Sequence, residues 1–185
     1  MTFRPALLAI PLAIAACADS ATDSPAPVTA SAEDSQNGTV CPQDLRLTLA
    51  DYVDEGVPAA GDNFLNLNMN RDGVVVSDTG LQHRVIQEGL SDGVRPGLSD
   101  QVEVLYHGTL PDGTVFDSAY ERGVPDSFAP NQVIPGWTEA LQDMEVCEAR
   151  ILYIPSDLAY GESGAGALIG PGADLVFYVQ NLGVG

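Results

Sequence analysis

Between residues 73 and 185 the apolar positions mostly recur every second residue, and in one stretch every third or fourth. A period of two marks half-buried strands and a period near 3.6 marks a helix. Val74-Val75-Val76, a turn at Ser77-Asp78-Thr79-Gly80 and the run Leu81 to Ile86 predict a hairpin. A polar loop containing Pro96 follows over Gly89 to Gly97. Val102, Val104 and Tyr106 then share one strand face, with Glu103, Leu105 and His107 on the other. Pro111-Asp112-Gly113 is a hairpin turn leading into Val115-Phe116-Asp117. Strand patterns return at Ala149 to Ile154 and at Asp174 to Val179, where Leu175, Phe177 and Val179 alternate inward. The one helix predicted in this half is Gly136 to Met144, because Trp137, Leu141 and Met144 stand at i, i+4 and i+7. Many strands and one short helix predict an α+β domain, an antiparallel β-sheet wrapped around one short α-helix.

Ahead of residue 73 the periodicity weakens. Leu45, Leu49, Tyr52 and Val53 keep helical spacing behind Pro42, and Phe64, Leu65, Leu67 and Met69 form a second apolar patch. Residues 41–72 therefore read as a short helical N-terminal segment, expected to pack on the following domain or to form a small self-association surface. Residues 17–40 are dominated by Ala, Ser, Thr, Asp and Pro without apolar period and read as a flexible tether. Twenty such residues reach about 25 Å.

Residues 1–16 read as a signal peptide, since the apolar run Ala6 to Ala16 follows Arg4 and is too short to cross a bilayer. The run ends in Ile14-Ala15-Ala16-Cys17, which looks like a bacterial lipobox and places a diacylglycerol on Cys17; the alternative is ordinary cleavage nearby, with Cys17 lost or idle. Ala18, where an Asp would resemble an inner-membrane retention signal, favours the outer membrane. The expected product is a periplasm-facing lipoprotein of the bacterial cell envelope, held to membrane by its acyl chains alone.

Charge narrows the partners. The 185-residue chain carries a formal charge of -19, and all of its Lys+Arg complement of 7 is Arg. Such a chain does not bind nucleic acid or anionic membrane by electrostatics. Cys41 and Cys147 remain as an even pair in an oxidising compartment and read as a disulfide, two unpaired buried thiols being the alternative. Neither has a His or Cys neighbour at ligand spacing, so no metal is expected. Ser118, Ser156 and Ser163 lack a nucleophile elbow, and His83 and His107 fall on strand positions facing away from the aromatic candidates below. The glycine-rich stretch Gly161 to Gly172 lacks the Lys and the strand-turn-helix context of a phosphate loop, so no cofactor is expected either.

Several blocks, in order, carry a family resemblance: Tyr106-x-Gly108, Asp112 to Ser118, Val133-Ile134-Pro135-Gly136-Trp137 through Leu141, Ile154 to Gly161, and Leu175-Val176-Phe177. The stretch from about Thr79 to Val184 resembles an FKBP-type peptidyl-prolyl cis-trans isomerase, and within that family is most similar to the bacterial macrophage-infectivity-potentiator (Mip) type. The resemblance implies an FKBP-like isomerase domain over 73–185 and a pocket for one proline ring. Tyr160, Asp117, Trp137 and Phe116 would carry catalysis, and Tyr106, Val133, Ile134 and Phe177 would line the pocket, with Leu168 and Ile169 on an overhanging loop. Trp137 would be the floor, Phe116 and Phe177 walls, and the Tyr160 hydroxyl a donor to the substrate carbonyl. Asp117 would orient Arg122 or Tyr106 rather than act as a base.

Partners implied are proline-containing unfolded or exported polypeptides, with macrolide-type ligands as a further possibility. The alternative is a proline-directed binding module or holdase with weak isomerase activity. Three positions depart from the family pattern: Asp126 stands where some relatives place an aromatic pocket residue, Ala165 where some carry His, and Cys147 where the family has glycine. The long helical dimerisation arm of Mip-type relatives is reduced or absent.

Overall fold

A computed structural model describes residues 38–52 and 54–185. The signal peptide, Cys17 and the tether up to residue 37 lie outside the described residues, as does Val53. Seven strands form one antiparallel sheet: β1 (Val74–Val76), β2 (Gln82–Gln87), β3 (Val102–Thr109), β4 (Val115–Ser118), β5 (Asp126–Phe128), β6 (Ala149–Ile154) and β7 (Leu175–Val184). Their order is β1-β2-β6-β7-β3-β4. One edge of β3 is divided between two partners: β4 pairs along His107 to Thr109 and β5 along Val102 to Val104. The short helix α2 (Ala119–Arg122) fills the gap between them.

Helix α3 (Pro135–Asp143) begins with Pro at its first position, where the missing N–H costs nothing. Trp137, Leu141 and Met144 face the sheet and pack with Val102, Val104, Leu152, Ile154, Leu175 and Val179. Gly136 permits the close approach, since a Cβ there would sit 2.6 Å from Ile154 Cγ2. Every residue of β6 is buried, because the sheet is covered on both faces. Leu152 and Ile154 turn towards α3, whereas Ile151 and Tyr153 turn towards Tyr52 and Phe64 of the N-terminal segment.

That segment is an irregular strap. The helix expected across Leu45, Leu49 and Tyr52 is replaced by two 3-10 turns, Gln43–Leu45 and Leu49–Asp51, and the one α-helix among its described residues is α1 (Phe64–Asn68). The sheet takes the hydrogen bonds a helix would need. Gln87 Nε2 and Gln180 Nε2 donate to the Leu45 carbonyl at 3.0 and 2.9 Å, and Gln180 Oε1 accepts from the Leu47 N–H at 2.8 Å. Further along, the Asp54 carboxylate, 5% exposed, is held by Arg71, Arg84 and the Tyr153 hydroxyl.

Cys41 and Cys147 form a disulfide with their Cα atoms 4.9 Å apart, fastening the start of the strap to the turn between α3 and β6. Cys147 has φ 72°, the one described non-glycine residue in the left-handed region. This is a position glycine adopts without strain.

Three local differences from the sequence pattern have simple causes. β7 runs five residues beyond Val179, since its pairing with β3 continues to Val184. Helix α3 is shifted by one residue, to Pro135–Asp143. His83 lies on the helix side of the sheet, opposite Leu152, because Leu81 two residues earlier points into the core and alternation carries His83 with it.

Candidate active site

Tyr106, Phe116, Phe128, Trp137 and Phe177 enclose a cavity of about 490 Å³, with Asp117, Gln132, Val133, Ile134 and Tyr160 completing its lining. Each ring arrives from a different element: β3, β4, β5, α3 and β7. The rings meet edge to face. Trp137 lies 5.1 Å from Phe177 at 80°, 5.4 Å from Tyr106 at 89° and 6.1 Å from Phe128 at 86°, and Phe116 lies 5.3 Å from Phe177 at 81°. Edge-to-face contact at these distances is one of the arrangements aromatic pairs prefer.

Gly108 makes the corner possible. A Cβ on it would stand 2.7 Å from the Phe116 ring and 2.8 Å from Phe177, so any side chain would push the two walls apart. The indole N–H of Trp137 is buried without an acceptor among the described residues, a group that costs about 1–3 kcal/mol to leave unpaired.

One rim of the cavity is charged. Tyr106 donates its hydroxyl to Asp117 Oδ2 at 2.5 Å, and Arg122 Nη1 donates to Asp117 Oδ1 at 2.5 Å. The other guanidinium nitrogen reaches Asp126, and it also donates to the Tyr106 oxygen at 3.1 Å. Partial burial alone would raise the Asp117 pKa, but the bonds from Tyr106 and Arg122 outweigh it and hold the carboxyl below its usual range. Burial, with the bond to Asp117, pushes the Tyr106 hydroxyl well above the ordinary phenol value. Asp117 is therefore an anion that orients its neighbours. Asp126, which the family pattern makes a departure, is the second arm of this clamp. The aromatic missing at Asp126 is supplied by Phe128, two residues on and on the same face of β5.

The opposite rim belongs to Tyr160, 40% exposed, between the 3-10 turns Ser156–Leu158 and Gly161–Ser163. Asp174 anchors this stretch by accepting from the Ser156 N–H at 3.1 Å. The flap that follows is closed on itself: the Ala165 N–H donates to the Ile169 carbonyl at 2.8 Å and the Ile169 N–H returns to Ala165 at 3.2 Å.

The structure brings together Tyr160, Asp117, Trp137, Phe116, Tyr106, Val133, Ile134 and Phe177. Leu168 and Ile169 are not among the residues lining this cavity: Ile169 is buried in the cluster that also holds Tyr106, Trp137 and Phe177, and Leu168 is half-exposed on the flap. The paired backbone of residues 165 and 169 turns Ile169 inward as a core residue. Phe128 and Gln132 line the cavity without a signal in the apolar pattern. His107 lies on the reverse face, its Nδ1 2.9 Å from Ser118 Oγ, and His83 does not reach the cavity.

Comparison with known proteins agrees with this geometry. The sequence pattern of FKBP-type peptidyl-prolyl cis-trans isomerases matches residues 93–182. The chain is 48% identical over 126 residues to the outer membrane protein MIP of Legionella longbeachae, a match covering 68% of this chain and 53% of that protein. It is 48% identical over 128 residues to the FKBP-type 22 kDa peptidyl-prolyl cis-trans isomerase of Escherichia coli, covering 69% and 61%. A crystal structure of a peptidyl-prolyl cis-trans isomerase from Pseudomonas syringae superposes with a TM-score of 0.61 at 38% identity, covering 66% of this chain and 88% of that one. The fold and the aromatic box are those of a prolyl isomerase domain. The chain belongs to the FKBP-type peptidyl-prolyl cis-trans isomerase family, and it spans 53% to 61% of the length of the two curated relatives.

Proposed function

We propose that this chain catalyses cis-trans rotation of Xaa-Pro bonds in unfolded polypeptides, without cofactor or covalent step. The observation that carries this reading is the box of five aromatic residues, Trp137 among them, with Tyr160 at its open rim. Rotation of a prolyl bond has a barrier of about 18–20 kcal/mol because amide resonance is lost at the twisted geometry. The twisted amide is less polar than the planar one, so an apolar enclosure disfavours it less. The proline ring fills the box, and the Tyr160 hydroxyl donates to the substrate carbonyl. Asp117 and Arg122 hold Tyr106, and hence one wall, in place.

The domain boundaries follow: isomerase domain from residue 73, strap over 41–72, tether over 17–40. Cleavage before Cys17 and lipidation of its thiol would anchor the domain at a bacterial envelope membrane. An oxidising compartment suits the Cys41–Cys147 bridge, and one relative carries the name outer membrane protein MIP. Macrolide-type ligands are candidate inhibitors of the same box.

The test is refolding of a protein whose slow phase is limited by prolyl isomerisation. Catalytic amounts of the chain accelerate that phase, and Trp137→Ala and Tyr160→Phe lose most of the acceleration. An unchanged slow phase with the wild-type chain contradicts the proposal.

A further inference from the structure

Five of the six described arginines are paired with carboxylates. Arg71 and Arg84 hold Asp54, Arg95 holds Glu145, Arg122 holds Asp117 and Asp126, and Arg150 holds Asp143 and Glu148. The Arg46 guanidinium has no carboxylate partner among the described residues, in a chain with 26 acidic side chains. Its Nε is buried and has no hydrogen-bond partner. Asp51, an acid close to it in sequence, is already held by the Thr48 N–H at 2.6 Å and the Thr48 hydroxyl at 2.7 Å.

Arg46 lines a second cavity, of about 420 Å³, together with Leu47, Leu49, Leu105, Tyr120 and Pro125. Leu105 and Tyr106 are neighbours on β3 and point to opposite faces, so this groove and the proline box lie on opposite sides of one strand. The groove exists only because the strap lies across the back of the sheet. Its volume falls in the range of ligand sites. A guanidinium is a planar fork that takes a carboxylate through two parallel N–H bonds, and with Nε buried it is the terminal nitrogens of Arg46, free of any carboxylate among the described residues, that are left to do so in the groove.

We propose that the groove binds an acidic side chain of an extended polypeptide, with Arg46 taking the carboxylate and the aliphatic and aromatic walls taking the residues beside it. The lining favours a peptide over a free inorganic anion. Leu47, Leu49, Leu105 and Pro125 offer apolar surface that an inorganic anion leaves uncovered, whereas a Glu flanked by Leu covers it. In a protein of strong net negative charge, the one described arginine without a carboxylate partner is the point where an acidic segment meets attraction rather than repulsion. The site is independent of isomerase activity.

The experiment is an NMR amide titration of the full chain with the proline-free peptide acetyl-Leu-Glu-Leu-amide and, in parallel, with acetyl-Leu-Gln-Leu-amide. The Glu peptide shifts amides at 43–49, 105 and 120–125, leaves the Trp137 indole in place, and binds at least about tenfold more tightly than the Gln peptide. Arg46→Gln removes the difference, and Arg46→Lys keeps part of it. Equal affinity for the two peptides, no binding of either, or shifts centred on Trp137 overturns the proposal. The comparison of the two peptides on the unaltered chain stands even where Arg46→Gln fails to fold.

Discussion

Tyr106 and Asp117 are bound hydroxyl to carboxylate at 2.5 Å across the mouth of the aromatic box, and Arg122 grips both. The wall ring and the charged rim are therefore one unit. In a double-mutant cycle, Tyr106→Phe and Asp117→Asn are expected to cost less together than separately, with a coupling of about 0.5–1.5 kcal/mol because Asp117 is half-exposed. Additive losses would mean that the two residues act independently.

The same unit predicts a pH dependence. The folded pKa of Asp117 is lowered, so its contribution to stability is complete above the unfolded carboxyl value of about 3.9 and is lost as pH falls through the lower folded value. The difference in urea midpoint between the wild-type chain and Asp117→Asn is thus expected to be constant from neutral pH to about 5 and to shrink below about 4. A difference that widens in acid would contradict the assignment.

Gly108→Ala tests the box without touching a ring. The added methyl would press on Phe116 and Phe177 at under 3 Å, by the distances of 2.7 and 2.8 Å to their ring atoms. Overpacking of this kind costs about 1–3 kcal/mol of stability. Isomerase activity is expected to fall by about tenfold or more, since a wall displaced by an ångström misplaces the substrate. Full activity in a folded Gly108→Ala chain would show that the box is not the site.

Much of this fold is legible in the sequence, and the exceptions share a cause. Trp137, Leu141 and Met144 mark α3 and the alternation around Phe177 marks β7, because each pattern is set by burial against a single partner layer. Phe128 carries no such mark. It ends a three-residue strand behind Pro125, Asp126 and Ser127, where no alternation can develop. The strap misleads for the opposite reason: Leu45, Leu49 and Tyr52 keep helical spacing, but the side chains of Gln87 and Gln180, far away in sequence, claim its backbone groups. Ile169, expected by resemblance on the loop over the pocket, is buried in the cluster that holds Tyr106, Trp137 and Phe177, beside its bridge to Ala165.

Cys147 combines a cross-link with a strained backbone, and the two contributions separate by mutation. Reducing the bridge releases a loop with a sequence separation of 106 residues, which on a chain-entropy account costs about 3–5 kcal/mol. In a Cys41→Ala background, Cys147→Gly is expected to be about 1 kcal/mol more stable than Cys147→Ala, because only glycine accepts φ 72° freely. Urea titrations of the two variants decide this. Equal midpoints would mean that the turn relaxes once the bridge is gone.

The most direct test of the central claim is NMR exchange spectroscopy on a short Xaa-Pro peptide, which reads cis-trans interconversion without a coupled protease. Catalytic amounts of the wild-type chain are expected to bring the exchange from its uncatalysed timescale of tens of seconds into the observable range, with Trp137→Ala restoring the slow rate in a folded protein. An exchange rate in the presence of the wild-type chain equal to that of free peptide would contradict the account.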